Sequence, residues 1–126
     1  MIPIGTGIDI VEIERIQKMH AKHGQHFIER LLHKVEIEQL KEEKNIVAFL
    51  AKRFAVKEAT AKAMGVGIGE KIGFTDVYVE HDELGKPLLK FTPRCIEKLD
   101  LKNKRTLLTI SDERSYAVAH VLLFSS

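Results

Sequence analysis

The sequence predicts an α+β fold in which helices of the N-terminal half pack on a mainly antiparallel sheet. The first ten residues after Met1 are rich in β-branched side chains, which is typical of a strand. Helical patterns then continue to about Met64, and from Phe74 onward short apolar segments alternate with turn residues. No repeat, low-complexity segment or linker interrupts this order, so residues 1–126 are expected to form one domain.

Composition narrows the class of protein. The chain is 44% hydrophobic and 30% charged, which is ordinary for a soluble globular protein. A net charge of +2 is too small to indicate a nucleic-acid partner. We expect no signal peptide and no membrane partner, because the apolar N-terminal run is short and contains Asp9. The single cysteine, Cys95, fits a reducing, cytoplasmic location.

Four helices are predicted in the first half, at residues 12–23, 27–33, 34–44 and 46–64. The last of these is the central helix. Its sequence is alanine-rich and free of glycine and proline up to Gly65, which is a typical residue at a helix C-terminus.

The second half is predicted to form strands at residues 75–80, 87–91, 106–111 and 116–124, with a short helix at 93–101. Residues 82–86, with Gly85, have the composition of a hairpin turn. The last strand is largely apolar on both faces, which predicts that a neighbouring subunit covers one of them.

Asp9 is the first candidate functional residue. It shares one face of the first strand with Gly7 and Val11, and a carboxylate there is unfavourable unless something pairs with it. Gly7 leaves room for a ligand or another backbone to approach. A cap for the following helix is the alternative role, although Asp9 lies slightly early for it.

The central helix carries a second acid, Glu58, and four residues later Lys62 on the same face. A solvated ion pair worth ~0.2–0.5 kcal/mol is the simpler interpretation. If Asp9 and Glu58 converge, however, the two carboxylates repel and require a cation. Oxygen ligands alone favour Mg²⁺, and Lys62 would then reach a bound phosphate. This pattern indicates phosphate-ester or pyrophosphate chemistry.

Two motifs resemble the signatures of a known family. Residues 7–16, Gly7-Ile-Asp9-Ile-Val-Glu-Ile-Glu-Arg15-Ile, and residues 53–65, Arg53-Phe-Ala-Val-Lys57-Glu58-Ala-Thr-Ala-Lys62-Ala-Met-Gly65, resemble those of the holo-[acyl-carrier-protein] synthases, in the 4'-phosphopantetheinyl transferase superfamily. Residues 82–87 and 109–119 resemble further family segments, so the resemblance extends from end to end. Many members have His where this chain has Asp112.

The resemblance implies a fold and an activity. The fold would be that of the 4'-phosphopantetheinyl transferases, assembled as a homotrimer with active sites between subunits. The activity would be transfer of 4'-phosphopantetheine from coenzyme A to a serine of apo-acyl carrier protein, with Mg²⁺ as cofactor. The products would be holo-acyl carrier protein, used in fatty acid biosynthesis, and adenosine 3',5'-bisphosphate.

The resemblance also implies residue roles. Asp9 and Glu58 would hold Mg²⁺, and Glu58 and Lys62 would be catalytic. The coenzyme contacts would be Arg53, Lys57, Lys62, Gly65, Gly85 and Pro87. For Arg53 and Lys57, a pair with an acid inside the helix or at the edge of the core would explain the residues too.

The first third of the chain has a basic exposed surface that includes apolar side chains. Such a surface is usually a solvated helix, but it would also suit an acidic helical partner. In the resembled family this partner is acyl carrier protein, and the residues implied are Arg15, Met19, Lys22, Phe27 and Arg30. His20, His23 and His26 lie nearby, and three surface histidines are a better interpretation than a zinc site.

Two other functions fit part of the sequence. A non-catalytic module presenting a basic helix to an acidic protein explains Arg15 and Lys22 but gives no reason for Asp9. A Mg²⁺-dependent pyrophosphate hydrolase explains the acids, and would release free phosphopantetheine without a protein acceptor.

Overall fold

A computed structural model describes residues 1–125 and confirms the α+β class. The elements in chain order are β1 (Ile2–Glu12), α1 (Ile13–His23), α2 (Gln25–Leu31), α3 (Lys34–Leu40), α4 (Ile46–Ala63), β2 (Val77–His81), β3 (Pro87–Phe91), α5 (Pro93–Lys98), β4 (Lys104–Asp112) and β5 (Tyr116–Ser125). The strand expected from residue 75 begins two residues later. A 3₁₀ turn, Phe74–Asp76, precedes it, and Asp76 Oδ2 accepts a hydrogen bond from the Gly73 N–H at 2.8 Å.

The strands form two antiparallel sheets rather than one. β5 lies in the centre of a three-stranded sheet between β1 and β4, and β2 pairs with β3 in a separate hairpin. Asp9 of β1 and Ile110 of β4 both lie opposite Ala119 of β5. Asp9 and Ile110 are therefore level with each other, on opposite edges of the same sheet.

Helix α4 packs against β1 at very short range. A Cβ atom added to Gly7 would lie 2.0 Å from the carbonyl oxygen of Ala59, and one added to Gly5 would lie 2.1 Å from that of Ala63. The space predicted beside Asp9 is thus filled by the backbone of α4. This approach places the side chains of α4 directly beside those of β1.

The opposite face of the three-stranded sheet is open, and apolar side chains make up much of it beside polar ones such as Thr6 and His120. Ile8 and Ile10 of β1 are 60% and 65% exposed, and Leu107 of β4 is 48% exposed. Between them, alternate residues of β5 from Val118 to Phe124 are half-buried, while Ala117, Ala119, Val121 and Leu123 are buried beneath α4. An apolar face of this kind is typical of an interaction surface.

Gly65 and Gly85 take the positions predicted for them, one at the end of a helix and the other in a hairpin turn. Gly65 ends α4 with a φ of 75°, and its N–H donates to the carbonyl oxygen of Lys62 at 3.0 Å. Gly85 closes the β2–β3 hairpin with a φ of 84°. Both angles lie in the left-handed region that glycine adopts at least cost. Within residues 1–125, the helices are too short or too polar to cross a membrane.

Candidate active site

Asp9, Glu58 and Lys62 converge at the contact between β1 and α4. The Nζ atom of Lys62 lies 3.0 Å from Asp9 Oδ1 and donates a hydrogen bond to it. The pKa of Glu58 is raised, first by burial and then by the negative charge of Asp9, while Lys62 and Arg15 oppose the shift. Asp9 is not a helix cap, because β1 continues past it to Glu12.

The two carboxylates fit a magnesium ion that has few protein ligands. In the described part of the chain, no cluster of three or more His, Cys, Asp or Glu side chains is placed to hold a metal. A cation between Asp9 and Glu58 would relieve the repulsion that helps to raise the pKa of Glu58. Magnesium commonly takes one or two carboxylates and completes its shell with water and substrate phosphate. The donor set therefore suits Mg²⁺.

Lys62 and Gly65 line a cavity of about 390 Å³, which we call the Lys62 cavity. Thr6 of β1 and Lys104 of β4 lie in its wall. Each lysine is paired with an acid, Lys62 with Asp9 and Lys104 with Asp100, and two lysines lining one cavity favour an anionic ligand. Two of the predicted coenzyme residues, Lys62 and Gly65, are thus brought together.

Three further predicted coenzyme residues, Arg53, Gly85 and Pro87, meet in a different cavity of about 500 Å³, the Arg53 cavity. Ile110 and Asp112 of β4 form another part of its wall. The acid pair lies beside the β1 edge of the sheet, whereas this cavity adjoins the β4 edge. Within one chain the predicted coenzyme residues therefore fall into two separate groups.

The structure corrects the prediction for Lys57. Its side chain is fully buried, and Nζ donates to Glu36 Oε1 at 2.6 Å and to the carbonyl oxygens of Leu31 at 2.7 Å and Phe74 at 2.8 Å. Three acceptors use all three N–H groups of an ammonium, so none is left for a coenzyme phosphate. Burial lowers the pKa of Lys57 to about 8, and the negative charge of Glu36 opposes this shift.

Glu36 has a structural role that the sequence pattern around it does not indicate. It lies on α3 with its side chain fully buried, between Lys57 and Arg53 of α4. An isolated acid in a short, charged helix gives no sign that it will be buried. The only usable signal is its spacing from His33, since the two form a reciprocal cap at the start of α3.

Three of the predicted partner residues, Met19, Phe27 and Arg30, line an apolar cavity of about 150 Å³, the Phe54 cavity. Its walls are Met19, His23, His26, Phe27, Arg30, Leu31, Phe54 and Phe74. The Arg15 guanidinium lies 5.3 Å from the centroid of the Phe54 ring, and its charge also acts on Glu58. Lys22 is exposed further along α1. Arg15 therefore connects the apolar cavity with the acid pair.

Comparison with known proteins agrees with this geometry. Residues 5–121 match the 4'-phosphopantetheinyl transferase superfamily. A holo-[acyl-carrier-protein] synthase of Vibrio cholerae serotype O1 is 46% identical over 123 residues, covering 95% of this chain and 96% of the relative.

Two solved structures are also similar. The crystal structure of the Neisseria meningitidis holo-[acyl-carrier-protein] synthase has a TM-score of 0.90 and 38% identity, covering 96% of this chain and 98% of that one. The Bacillus anthracis enzyme, in complex with CoA (3',5'-ADP), has a TM-score of 0.84 and 39% identity over 100% of both chains. This chain belongs to the 4'-phosphopantetheinyl transferase superfamily.

Proposed function

We propose that this chain transfers 4'-phosphopantetheine from coenzyme A to a serine hydroxyl of apo-acyl carrier protein. The products are holo-acyl carrier protein, used in fatty acid biosynthesis, and adenosine 3',5'-bisphosphate. The observation that carries the proposal is the convergence of Asp9, Glu58 and Lys62, in a chain 46% identical to a holo-[acyl-carrier-protein] synthase.

The acid pair and the lysine supply the chemistry. Asp9 and Glu58 would hold Mg²⁺, which when bound would neutralise pyrophosphate oxygens of coenzyme A. The serine oxygen forms a bond to the phosphorus that carries pantetheine, and the bond from that phosphorus to the bridging oxygen breaks. Adenosine 3',5'-bisphosphate leaves with the electron pair. Lys62 stabilises the charge that develops on the phosphate, and Glu58 accepts the serine proton directly or through water.

A second copy of the chain is proposed to complete the coenzyme site. The acid pair lies at the β1 edge, while Arg53, Gly85 and Pro87 lie beyond the β4 edge of the same sheet. In a head-to-tail ring, the β1 edge of one copy faces the β4 edge of the next, so both groups can contact one coenzyme. The family resemblance implies a ring of three copies, and the open face around Ile8 and Ile10 offers apolar area for it.

The surface around the Phe54 cavity is proposed to bind acyl carrier protein, an acidic helical protein. Arg15, Lys22 and Arg30 are exposed on α1 and α2, and the half-buried Met19 would supply apolar contact beside them. Phe27, also expected at this surface, is only 7% exposed and belongs to the core, so it supports the surface from below. We also propose a cytoplasmic location and a single domain. The two apolar clusters of the core share Met64 and Leu89, which supports one folding unit.

Mass spectrometry of a carrier protein tests the proposal. Apo-acyl carrier protein incubated with this chain, coenzyme A and Mg²⁺ should gain one phosphopantetheine, and a chelator should prevent the gain. Omission of the carrier should yield no free phosphopantetheine, which separates transfer from pyrophosphate hydrolysis. An unmodified carrier, together with no binding of coenzyme A in isothermal titration, would leave only the non-catalytic module.

A further inference from the structure

A buried ion cluster lies outside the acid pair. It consists of Glu36 on α3 with Arg53 and Lys57 on α4, which are 0%, 4% and 0% exposed. Removal of three charges from water is costly, and apolar side chains of similar volume often give equal or greater stability. Stability alone therefore does not explain this cluster, and its contacts suggest a second role.

The carboxylate of Glu36 is fixed by the backbone. Oε1 accepts the N–H of His33 at 3.1 Å, and Oε2 accepts the N–H of Val79 at 3.1 Å. Each oxygen also faces one cation, because Lys57 Nζ lies 2.6 Å from Oε1 and Arg53 Nε lies 3.4 Å from Oε2. Glu36 is thus anchored to α3 and β2 and presents its charge to α4.

Arg53 connects this cluster to the Arg53 cavity, whose wall it forms with Gly85 and Pro87. Its Nη2 atom donates to Gln39 Oε1 at 3.4 Å, and its guanidinium lies 4.4 Å from the centroid of the Phe49 ring. Among the described residues, its Nε has no acceptor with full hydrogen-bond geometry. Glu36 therefore holds the guanidinium mainly by charge.

We infer that Glu36 is a positioning residue for coenzyme binding, because it holds the Arg53 guanidinium in place at the wall of the Arg53 cavity. Glu36 itself is fully buried and does not reach the cavity, so it acts through Arg53. Without its charge, Arg53 and Lys57 would be two cations in one buried space, and Arg53 would turn toward water. This inference rests on the proposed function, since it takes coenzyme A as the ligand of the cavity.

Glu36→Gln is the variant that tests the inference, because it removes the charge and keeps the shape. We expect the Kd for coenzyme A from isothermal titration, and the KM in the transfer assay, to rise about 10-fold while kcat changes less than about 3-fold. The effect on kcat is expected to be small because Asp9, Glu58 and Lys62 lie at the other edge of the sheet. In an Arg53→Ala background, Glu36→Gln should add little further loss, since both changes remove the same contact.

Asp76→Asn is the matched control. Asp76 is also buried, at 8% exposed, and accepts hydrogen bonds from Gly73 N, Thr92 Oγ1 and Arg94 Nη1. This variant should lower the melting temperature but leave the Kd for coenzyme A within about twofold. If Glu36→Gln does not fold, Glu36→Asp replaces it, because it keeps the charge and shortens the side chain, and it should raise the Kd by a smaller factor.

Two results would overturn the inference. One is a Glu36 variant that is destabilised like Asp76→Asn but binds coenzyme A as tightly as the wild type. The other is an Arg53→Ala variant with unchanged Kd, which would remove coenzyme A from the Arg53 cavity. Failure of the proposed function differs from both, because the wild-type chain would then transfer nothing.

Discussion

Lys62 reaches from α4 to β1, where its Nζ atom lies 3.0 Å from Asp9 Oδ1 and 2.9 Å from the carbonyl oxygen of Ile8. The Asp9 side chain is 14% exposed and that of Lys62 is 53% exposed. Asp9 is therefore the partner whose charge needs the contact for compensation. A cation bound between Asp9 and Glu58 would take over this balancing charge. Lys62 would then be available to a phosphate, which links metal binding to coenzyme binding.

Removal of either acid should abolish transfer. Asp9→Ala and Glu58→Ala are each expected to lower kcat/KM by at least about 10²-fold, and the double variant should be little worse than either single one, because the pair acts as a unit. Holo-carrier formation by mass spectrometry and Mg²⁺ titration measure the effect, and circular dichroism checks the fold. Additive losses, or full activity in a chelator, would contradict the metal assignment.

The raised pKa of Glu58 should depend in part on Asp9. Burial is the larger cause and remains in Asp9→Asn, so the pKa should fall only part of the way toward its ordinary value of 4.5. Carbon-13 NMR of the Glu58 carboxyl measures it directly. In the wild type, Mg²⁺ affinity should decrease as the pH falls through this raised pKa, since a protonated carboxyl is a poor ligand. A pKa that is the same in both proteins would show that the two carboxylates are too far apart to share an ion.

Acid should weaken the cap of α3. His33 Nδ1 accepts the N–H of Val35 at 3.1 Å, which requires a neutral ring, and the pKa of His33 is lowered from 6.5, mainly by burial. The unfolded chain therefore binds the proton at higher pH than the folded chain. The resulting stabilisation is complete above about pH 6.5 and is lost as the pH falls through the lower folded pKa.

His33→Asn provides the comparison, since asparagine also caps helices but does not titrate. Urea unfolding at pH 7.5 and pH 5 should show a smaller acid loss for this variant than for the wild type. Equal losses would mean that other groups account for the whole acid sensitivity.

Gly7 should tolerate no side chain. The Cβ atom of Gly7→Ala would lie 2.0 Å from the carbonyl oxygen of Ala59, so β1 and α4 must separate, at a cost of about 1–3 kcal/mol or more. Gly67→Ala is the matched control, because a Cβ there meets nothing within 4 Å. The melting temperature and the transfer rate should both be lower for Gly7→Ala than for the wild type. The rate should fall because the separation also moves Asp9 away from Glu58. Similar melting temperatures for the two variants would show that β1 and α4 can move apart at little energetic cost.

Charge reversal on α1 should affect the carrier rather than the coenzyme. Arg15→Glu and Lys22→Glu should slow association with acyl carrier protein, and the effect should shrink with salt, because screening acts over ~8 Å at physiological ionic strength. Lys102→Glu, an exposed lysine after α5, is the control and should have little effect. Stopped-flow binding measures the rates, and coenzyme titration should be unchanged in Lys22→Glu, which is the cleaner variant because the Arg15 charge also acts on Glu58. Equal damage to both ligands would instead indicate a disturbed fold.

Much of the local structure follows from the sequence alone. The alanine-rich pattern predicts α4 almost to the residue, Gly65 ends it, and the turn with Gly85 forms as expected. The two acids and Lys62 could also be found, because an acid in a β-branched strand needs a partner and the motifs around it are specific. These signals are short in range, since period, turn chemistry and motif spacing involve residues near each other in the chain.

The tertiary structure alone decides which charges are buried. Arg53 and Lys57 have the same spacing on α4 as Glu58 and Lys62, yet the first pair is buried against Glu36 and the second faces β1. Helical periodicity gives the angle between these faces but not which distant segment covers each of them. The separation of the predicted coenzyme residues onto opposite edges of one sheet has the same origin. It depends on strand order, because β5 pairs with both β1 and β4. The pairing of β5 with β1 joins segments that are more than 90 residues apart in the chain.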